Sequence, residues 1–180
     1  MRIIAGRLGG RQIHEPHGHR THPMSEKIRG ALFNTLGDIE ELTFLDAFAG
    51  SGALAIEAIS RGAKSAVTID IDRPAHKALD RNISELGLSD QIKSIRANTG
   101  GWSDKNPDKN FDIVLLDPPY ENLQFNLLQK LAARHVKKGG LAVLSWPGRT
   151  ALPDFDNFEL ISDKNYADAQ LAFYRNPQSE

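Results

Sequence analysis

The tetrapeptide Asp117-Pro118-Pro119-Tyr120 places a carboxylate and an aromatic ring directly after the apolar run 111–116. That run has the apolar density of a buried parallel strand, and two consecutive prolines cannot continue a strand because neither has an N–H to donate. We therefore expect the strand to end at Asp117, with its side chain in the ligand crevice at the carboxyl edge of a parallel sheet. A carboxylate beside an aromatic ring suits a flat polar substrate such as a nucleobase, although Asp-Pro-Pro also occurs in turns without an active site.

A small-residue turn earlier in the chain has the composition of a ligand-binding βα turn. The apolar run 44–47 reads as a strand, and Gly50 and Gly52 precede a helical pattern that starts at Ala53. Glycines at such a turn let a ligand approach the backbone N–H groups at the start of the helix. The segment lacks the Gly-Lys-Ser/Thr of a phosphate loop and the three-glycine spacing of a dinucleotide fingerprint, and a turn without a ligand is the alternative. The candidate cofactor contacts here are Asp46, Phe48, Ala49, Gly50, Ser51 and Gly52.

Acidic and polar residues end the next two predicted strands. Asp70 follows the glycines by about twenty residues, where a carboxylate can accept hydrogen bonds from both hydroxyls of a ribose. Ile71 beside it completes this part of the predicted cofactor site. Asp72 is better explained as the N-cap of a helix that begins at Pro74. Asn98, at the end of the third strand, could bond an adenine edge or act as a simple turn asparagine.

The elements that must position these residues alternate between short apolar runs and helical patterns. Strands are predicted over 44–47, 66–70, 92–97, 113–117 and 141–145, and helices over 26–36, 53–61, 74–86 and 123–135. Such alternation predicts a mostly parallel sheet. The runs 158–162 and 170–174 leave no room for a helix between them and predict an antiparallel hairpin at or near the sheet edge. Residues 137–140 are interpreted as a helix end and turn, and Trp102 and Trp146 as packing residues, although Trp146 follows the fifth strand and could line the rim of the pocket.

The N-terminal part of the chain is basic. Residues 1–36 contain six Lys or Arg against two Asp or Glu, although the whole chain has a net charge of −1. Glycines in 6–10 predict a short hairpin, followed by a polar loop, and a polyanion would meet this end of the chain first. The candidate contacts with such a polyanion are Arg2, Arg7, Arg11, Arg20 and His22, with a solvated basic surface as the alternative.

Composition limits the chemistry of the chain. Its 180 residues predict one domain over 1–180, including a basic N-terminal extension over 1–24. The sequence has no cysteine, which excludes thiol nucleophiles and disulfides. The closely spaced histidines at 14, 17, 19 and 22 suggest a metal hypothesis, but Glu15 is the only acid near them, so no metal is expected. No apolar run reaches membrane-spanning length, and the N-terminus lacks the apolar core of a signal peptide, so a cytoplasmic location is expected.

The glycine turn, the strand-end acid and the Asp-Pro-Pro-Tyr motif together point to S-adenosylmethionine. In these motifs and in several other stretches, the chain resembles the bacterial 16S rRNA (guanine-N2)-methyltransferase family. The matching stretches are 2–6, 10–11, 28–29, 32–34, 46–52, 57–63 and 117–120. The chain departs from the family pattern at two places, since the family's Arg-Pro-Thr falls on His22-Pro23-Met24 and its glutamate after the helix arginine falls on Gly30.

This resemblance implies a fold, a cofactor and a substrate. The fold would be an α/β Rossmann-like class I methyltransferase, with a seven-stranded, mostly parallel sheet, a C-terminal antiparallel hairpin, and an N-terminal β-hairpin extension that helps hold RNA. The cofactor would be S-adenosylmethionine, leaving S-adenosylhomocysteine as product. The substrate would be a guanine N2 amine of 16S rRNA, met as naked RNA or within the assembled 30S subunit. We further expect the protein to act as a monomer.

The Asp-Pro-Pro-Tyr motif would then hold the base. The Asp117 carboxylate and the Pro118 carbonyl can each accept an N–H from the amine, and Tyr120 can stack on the ring. Pro119 completes the candidate catalytic motif, and Asp117 also borders the predicted cofactor site. Because an ordinary carboxylate is a weak base, Asp117 is assigned a positioning and electrostatic role. Two alternatives stay open: an adenine-N6 DNA methyltransferase, and a non-catalytic RNA-binding or ribosome-assembly factor on the same scaffold.

Overall fold

A computed structural model of the chain describes residues 1–16 and 24–177. The chain divides after Thr99 into an N-terminal unit and a C-terminal unit. The elements of the N-terminal unit are α1 (Glu26–Leu36), β1 (Thr43–Asp46), α2 (Ala53–Ser60), β2 (Ser65–Asp70), α3 (Arg73–Leu86) and β3 (Ile92–Arg96). Helix α4 (Thr99–Lys105) begins at the boundary. The C-terminal unit continues with β4 (Phe111–Leu116), α5 (Phe125–His135), β5 (Val136–Pro147), β6 (Glu159–Tyr166) and β7 (Ala169–Arg175).

The N-terminal unit contributes three parallel strands in the order β3-β2-β1, with Leu45 opposite Val67 and Ile69 opposite Ile95. Each strand is joined to the next by a helix, as parallel pairing requires. In α3 the apolar residues recur at helical spacing and are buried, and Leu79 among them is completely so. A Cβ at Gly52 would overlap the Leu79 side chain, so this glycine lets the start of α2 pack closely on α3.

The C-terminal unit contributes four strands in the order β4-β5-β7-β6. Strands β4 and β5 are parallel, and β7 pairs antiparallel with both β5 and β6. The seven strands thus form a mixed sheet, and the predicted C-terminal hairpin is confirmed, with longer strands than the sequence suggested. No helix in the described part of the chain is long and apolar enough to cross a membrane.

One prediction about elements was wrong, and one helix was missed. Residues 137–140 do not form a turn after a helix, because α5 ends at His135 and β5 begins at once with Val136. The pairing of β4 with β5 is irregular there, and a Cβ at Gly140 would lie 2.5 Å from the Asp112 carbonyl oxygen, so the glycine permits close approach of the two strands. Helix α4 was not predicted, since it is short and contains two adjacent glycines, which are poor helix formers.

The described part of the N-terminal extension forms the expected hairpin, but with little regular strand. A single antiparallel bridge joins Arg2 and Gln12. The Ile3 N–H donates to the Arg11 carbonyl at 2.9 Å, and the Ile13 N–H donates to the Met1 carbonyl at 3.0 Å. Residues 1–14, called here the arm, therefore fold back on themselves, and backbone hydrogen bonds join the two ends of the segment.

A fully buried histidine joins α4 to α5 in the C-terminal unit. His135 has its Nδ1 2.6 Å from the Lys109 carbonyl oxygen and its Nε2 2.8 Å from the Ser103 Oγ. A carbonyl can only accept, so Nδ1 must carry the hydrogen, and the neutral ring then accepts the Ser103 hydroxyl at Nε2. The Trp102 ring lies 5.0 Å from the imidazole. Burial lowers the pKa of His135 below its ordinary value of 6.5.

The protein is therefore expected to lose stability as the pH falls below about 6.5, because the unfolded His135 gains a proton there before the folded one does. His135→Gln keeps hydrogen-bonding groups at this position but does not titrate. Unfolding temperatures of both proteins, measured by calorimetry from about pH 7.5 to about pH 5, should show the steeper acid loss in the wild type. Parallel pH curves for the two proteins would contradict this account.

Candidate functional site

The carboxyl ends of β1, β2 and β3 lie side by side and bring three predicted cofactor residues together. Asp46, the last residue of β1, is completely buried, whereas Asp70, the last residue of β2, is partly exposed. Asn98 is exposed just beyond β3. The Thr99 hydroxyl donates to the Ala47 carbonyl at 2.7 Å, so the segment after β3 is held against the end of β1.

The glycine turn is bonded to the end of β2. Gly50 has a φ of 56°, and its N–H donates to Asp70 Oδ2 at 2.8 Å. The Ala49 N–H donates to the Ile69 carbonyl at 3.0 Å. A Cβ at Gly50 would meet no atom within 4 Å, so the space over this backbone is open. Phe48 is partly exposed, while Ala49, Ser51 and Gly52 are buried.

The Asp70 carboxylate retains acceptor capacity for a ligand. It accepts the Gly50 N–H and also the Asp72 N–H, the latter at Oδ1 over 2.8 Å. Because a carboxylate offers about four acceptor positions, about two remain for ribose hydroxyls. Burial raises the pKa of Asp70, and the two backbone donors oppose that rise. Ile71 is 61% exposed beside it and offers apolar surface to a ring. These residues fit S-adenosylmethionine.

The neighbouring acid has the structural role that the sequence indicated. Asp72 is the N-cap of α3, and its Oδ2 accepts the Ala75 N–H at 3.0 Å. Asp70 and Asp72 are thus two closely spaced carboxylates with different surroundings. Only Asp70 bonds to the glycine turn.

The Asp-Pro-Pro-Tyr motif follows β4 in the C-terminal unit. Asp117 is half-buried, Pro118 is buried, and Pro119 accepts the Asn122 N–H at 3.0 Å in the turn that follows. Tyr120 is 37% exposed, which leaves part of its ring accessible. The Tyr120 hydroxyl lies 2.7 Å from Ser145 Oγ. The motif therefore presents a carboxylate and an anchored aromatic ring together.

Ser145 is a site residue that the sequence reasoning missed. It lies near the carboxyl end of β5, is 5% exposed, and hydrogen-bonds to both Asp117 and Tyr120. Burial raises the pKa of Asp117 to about 6, and the hydrogen bond with Ser145 acts against this rise. Burial also raises the pKa of Tyr120, so its hydroxyl stays protonated at neutral pH. The only signal in the sequence is a hydroxyl that interrupts the apolar run 141–146.

The predicted RNA contacts are only partly described. Arg2, Arg7 and Arg11 are exposed on the arm. Arg2 Nε lies 3.1 Å from Glu26 Oε2, and Arg7 Nη2 donates to Gln91 Oε1 at 2.8 Å. Arg20 and His22 lie outside the described residues.

The remaining predicted features have structural explanations where the chain is described. His14 Nε2 lies 2.7 Å from Glu85 Oε2, and the other three histidines of the metal hypothesis lie outside the described residues. Within the described ranges, no group of three possible metal ligands was found. Trp102 and Trp146 are buried, and Trp146 Nε1 donates to the Ala151 carbonyl at 3.1 Å. The interpretation of both tryptophans as packing residues is confirmed.

Known proteins are similar to this chain in sequence and in fold. A family model described as "Conserved hypothetical protein 95" matches residues 1–175. The chain is 40% identical over 119 residues to "Ribosomal RNA small subunit methyltransferase D" of Buchnera aphidicola subsp. Acyrthosiphon pisum, a match that covers 66% of this chain and 62% of that relative, less than two thirds of its length. It is 29% identical over 181 residues to the protein of the same name from Haemophilus influenzae, covering 98% and 94%.

A solved structure, "Putative methyltransferase yhhF from Escherichia coli", matches with a TM-score of 0.88 and 28% identity over 99% of both chains. The α/β Rossmann-like methyltransferase fold expected from the sequence is confirmed by this similarity.

Proposed function

We infer, since the chain belongs to the family described as Conserved hypothetical protein 95, that it uses S-adenosylmethionine to methylate a base of ribosomal RNA. The observation that carries this proposal is the group formed by Asp117, Ser145 and Tyr120, which joins a carboxylate to an anchored, accessible ring. The names of the Buchnera and Haemophilus relatives support small-subunit rRNA as the polymer. We further propose the guanine N2 amine as the acceptor, on the family resemblance.

The cofactor would be held by the N-terminal unit. Asp70 would accept the ribose hydroxyls, and the open backbone at Gly50 would allow close approach, with Asp46, Phe48 and Asn98 completing the site. When bound, S-adenosylmethionine supplies a methyl group on a positively charged sulfur, and S-adenosylhomocysteine is the product. Ile71 would give the adenine an apolar contact, because most of its side chain is exposed.

The acceptor base would be held by the C-terminal unit. The exocyclic amine of guanine is a poor nucleophile, because its lone pair is delocalised into the ring, so it must be held and re-hybridised. The Asp117 carboxylate and the Pro118 carbonyl would accept the two N–H groups and direct the lone pair. Tyr120 would stack on the base, and its hydroxyl is held by Ser145 at 2.7 Å, which limits rotation of the ring.

The burial of Asp117 supports an acid–base role in addition to the positioning role expected from the sequence. An ordinary carboxylate would be too weak a base to take up the proton that the methylated amine releases. Burial raises the pKa of Asp117 to about 6, which lies much closer to neutral pH and makes the group a better proton acceptor. We propose that Asp117 positions the amine while ionised, then receives its proton and passes it to solvent.

Transfer of a labelled methyl group tests the proposal directly. The protein would be incubated with labelled S-adenosylmethionine and either naked 16S rRNA, assembled 30S particles or duplex DNA, and each polymer digested to nucleosides. Label in N2-methylguanosine supports the proposal, and the better RNA substrate tells whether the acceptor is naked or assembled. Label only in N6-methyladenine would refute the proposed rRNA methylation and would indicate DNA methylation instead. Cofactor binding without transfer to any polymer would favour an assembly factor.

We further propose that the protein is cytoplasmic and acts as a monomer.

Ser145→Ala is expected to lower kcat/KM about tenfold at neutral pH and to shift its acidic limb to higher pH. In the wild type, the Ser145 hydroxyl favours the ionised form of Asp117. Its removal therefore raises the pKa of Asp117 further above the value of about 6 that burial already gives it. Activity that needs the carboxylate would then begin to fail at a higher pH. Ser145→Thr keeps the hydroxyl and serves as the matched control. Identical pH profiles for wild type and Ser145→Ala would rule out this role for Ser145.

A further inference from the structure

A buried glutamate of α2 holds the backbone of the arm. Glu57 is completely buried, although a helical glutamate is usually solvated. Its Oε1 accepts the Ile4 N–H at 2.9 Å, and its Oε2 accepts the Ala5 N–H at 3.1 Å. Two consecutive backbone N–H groups of the arm therefore donate to one carboxylate, and this pair of hydrogen bonds fixes both the position and the direction of the segment.

Two arginines complete the surroundings of Glu57. Arg61 Nε lies 2.9 Å from Oε2, and Arg29 Nε lies 3.4 Å from Oε1. Arg29 is itself buried, and its Nη2 donates to the Arg2 carbonyl. Arg29 thus links Glu57 to the first residues of the chain by a second route. A carboxylate with four charge-assisted or backbone donors is held in one geometry.

The middle of the arm is held by Ser60, one turn further along α2. Its Oγ accepts the Leu8 N–H at 3.0 Å and donates to the Ala5 carbonyl at 2.6 Å, and its own carbonyl accepts the Arg7 N–H at 2.9 Å. Gly6 has a φ of 80°, and a Cβ there would overlap the Ser60 carbonyl. Only glycine lets the arm lie this close to α2.

The end of the arm is held by α3. The side-chain amide of Asn82 accepts the His14 N–H at 2.7 Å and donates to the His14 carbonyl at 3.0 Å. It also donates to the carbonyl of Ser51 in the glycine turn at 3.0 Å. Since Asn82 is buried, both ends of the arm are fixed by buried polar side chains, while its arginines face solvent.

We propose that Glu57 is a positioning residue for the RNA: it fixes the arm so that Arg2, Arg7 and Arg11 form a preorganised phosphate-binding surface. This inference rests on the proposed RNA methylation. Cations on an ordered backbone bind phosphates at a lower entropic cost than cations on a free tail. The ion pair of Arg2 with Glu26 and the bond of Arg7 to Gln91 orient two of these side chains further.

Glu57→Gln tests the inference, because the amide replaces one acceptor oxygen by a donor. With 16S rRNA transcript as the probe and saturating S-adenosylmethionine, we expect the KM for RNA to rise about tenfold and kcat to stay within about twofold. Hydrogen exchange at the Ile4 and Ala5 amides should accelerate in the same variant. S-adenosylhomocysteine affinity should be unchanged.

Gly6→Ala provides a second route, since Glu57→Gln could destabilise the fold by leaving buried guanidinium groups without their carboxylate. The alanine side chain at position 6 would overlap Ser60 and displace the arm, while Glu57 would keep its contacts with both arginines. Gly87→Ala is the matched control, because Gly87 also has a positive φ of 69° but a Cβ added there would meet no atom within 4 Å. We expect Gly6→Ala to reproduce the rise in KM, and Gly87→Ala to leave it unchanged.

The outcomes separate this inference from the proposed function. Faster exchange of the arm amides with an unchanged KM for RNA would overturn the positioning role, as would continued protection of those amides in both arm variants. A wild-type protein that methylates no RNA would instead refute the proposed function, on which the inference depends. A higher KM for RNA with an unchanged kcat in both arm variants supports the inference.

Discussion

Asp117→Ala is expected to reduce methyl transfer by at least about a thousandfold while S-adenosylhomocysteine affinity changes by no more than about threefold. The reason is that, in the proposed function, this carboxylate would orient the amine and accept its proton, whereas Asp70 and the glycine turn would bind the cofactor. Asp117 is half-buried and hydrogen-bonded to Ser145, which restricts the rotation of its carboxylate. Single-turnover kinetics with labelled cofactor and titration calorimetry with S-adenosylhomocysteine measure the two quantities separately.

Asp112→Ala is the matched control for that experiment. Asp112 lies on β4, the strand that leads to Asp117, is partly exposed, and has its Oδ2 3.7 Å from Lys137 Nζ. Its loss should leave both transfer and cofactor binding near the wild-type values. Equal losses of transfer and of cofactor affinity in Asp117→Ala would show that the two functions are not divided between Asp117 and Asp70.

Asp70→Ala is expected to weaken S-adenosylhomocysteine binding by on the order of 100-fold, since two hydrogen bonds to a charged group contribute about 1.5–3 kcal/mol each and are partly replaced by water. The change also removes the acceptor of the Gly50 N–H, which Asp70 holds at 2.8 Å. The glycine turn should then lose its fixed conformation. Isothermal titration with S-adenosylhomocysteine gives the affinity, and hydrogen exchange at Gly50 reports the turn.

Asp72→Ala separates this effect from a general loss of charge or of helix stability. Asp72 caps α3 through the Ala75 N–H, so its removal should cost about 1 kcal/mol of folding free energy. It should change cofactor affinity by less than about threefold. If Asp72→Ala weakened binding as much as Asp70→Ala, the assignment of Asp70 as the ribose ligand would be wrong.

Much of the fold and of the candidate site could be predicted from the sequence because the relevant signals are local. Asp70 and Asp117 each follow an apolar run, and the prolines at 118–119 end a strand wherever they occur. The N-cap role of Asp72 also depends only on its own helix. Boundaries were less well predicted. Helix α4 was missed because its glycines disfavour a helix, and contacts such as the buried bond of Ser103 to His135 hold it in place.

The amino-acid sequence alone was enough to predict the order of the strands and of the helices other than α4, the strand-end acids and the glycine turn, because periodicity and backbone sterics act between near neighbours. It was not enough to predict that Ser145 bonds to Asp117 and Tyr120, or that Glu57 lies buried beneath the arm. Both depend on residues far apart in the chain, and each isolated residue looks like an ordinary serine in a strand or glutamate on a helix. The raised pKa of Asp117 has the same origin, since desolvation is a property of the packed surroundings.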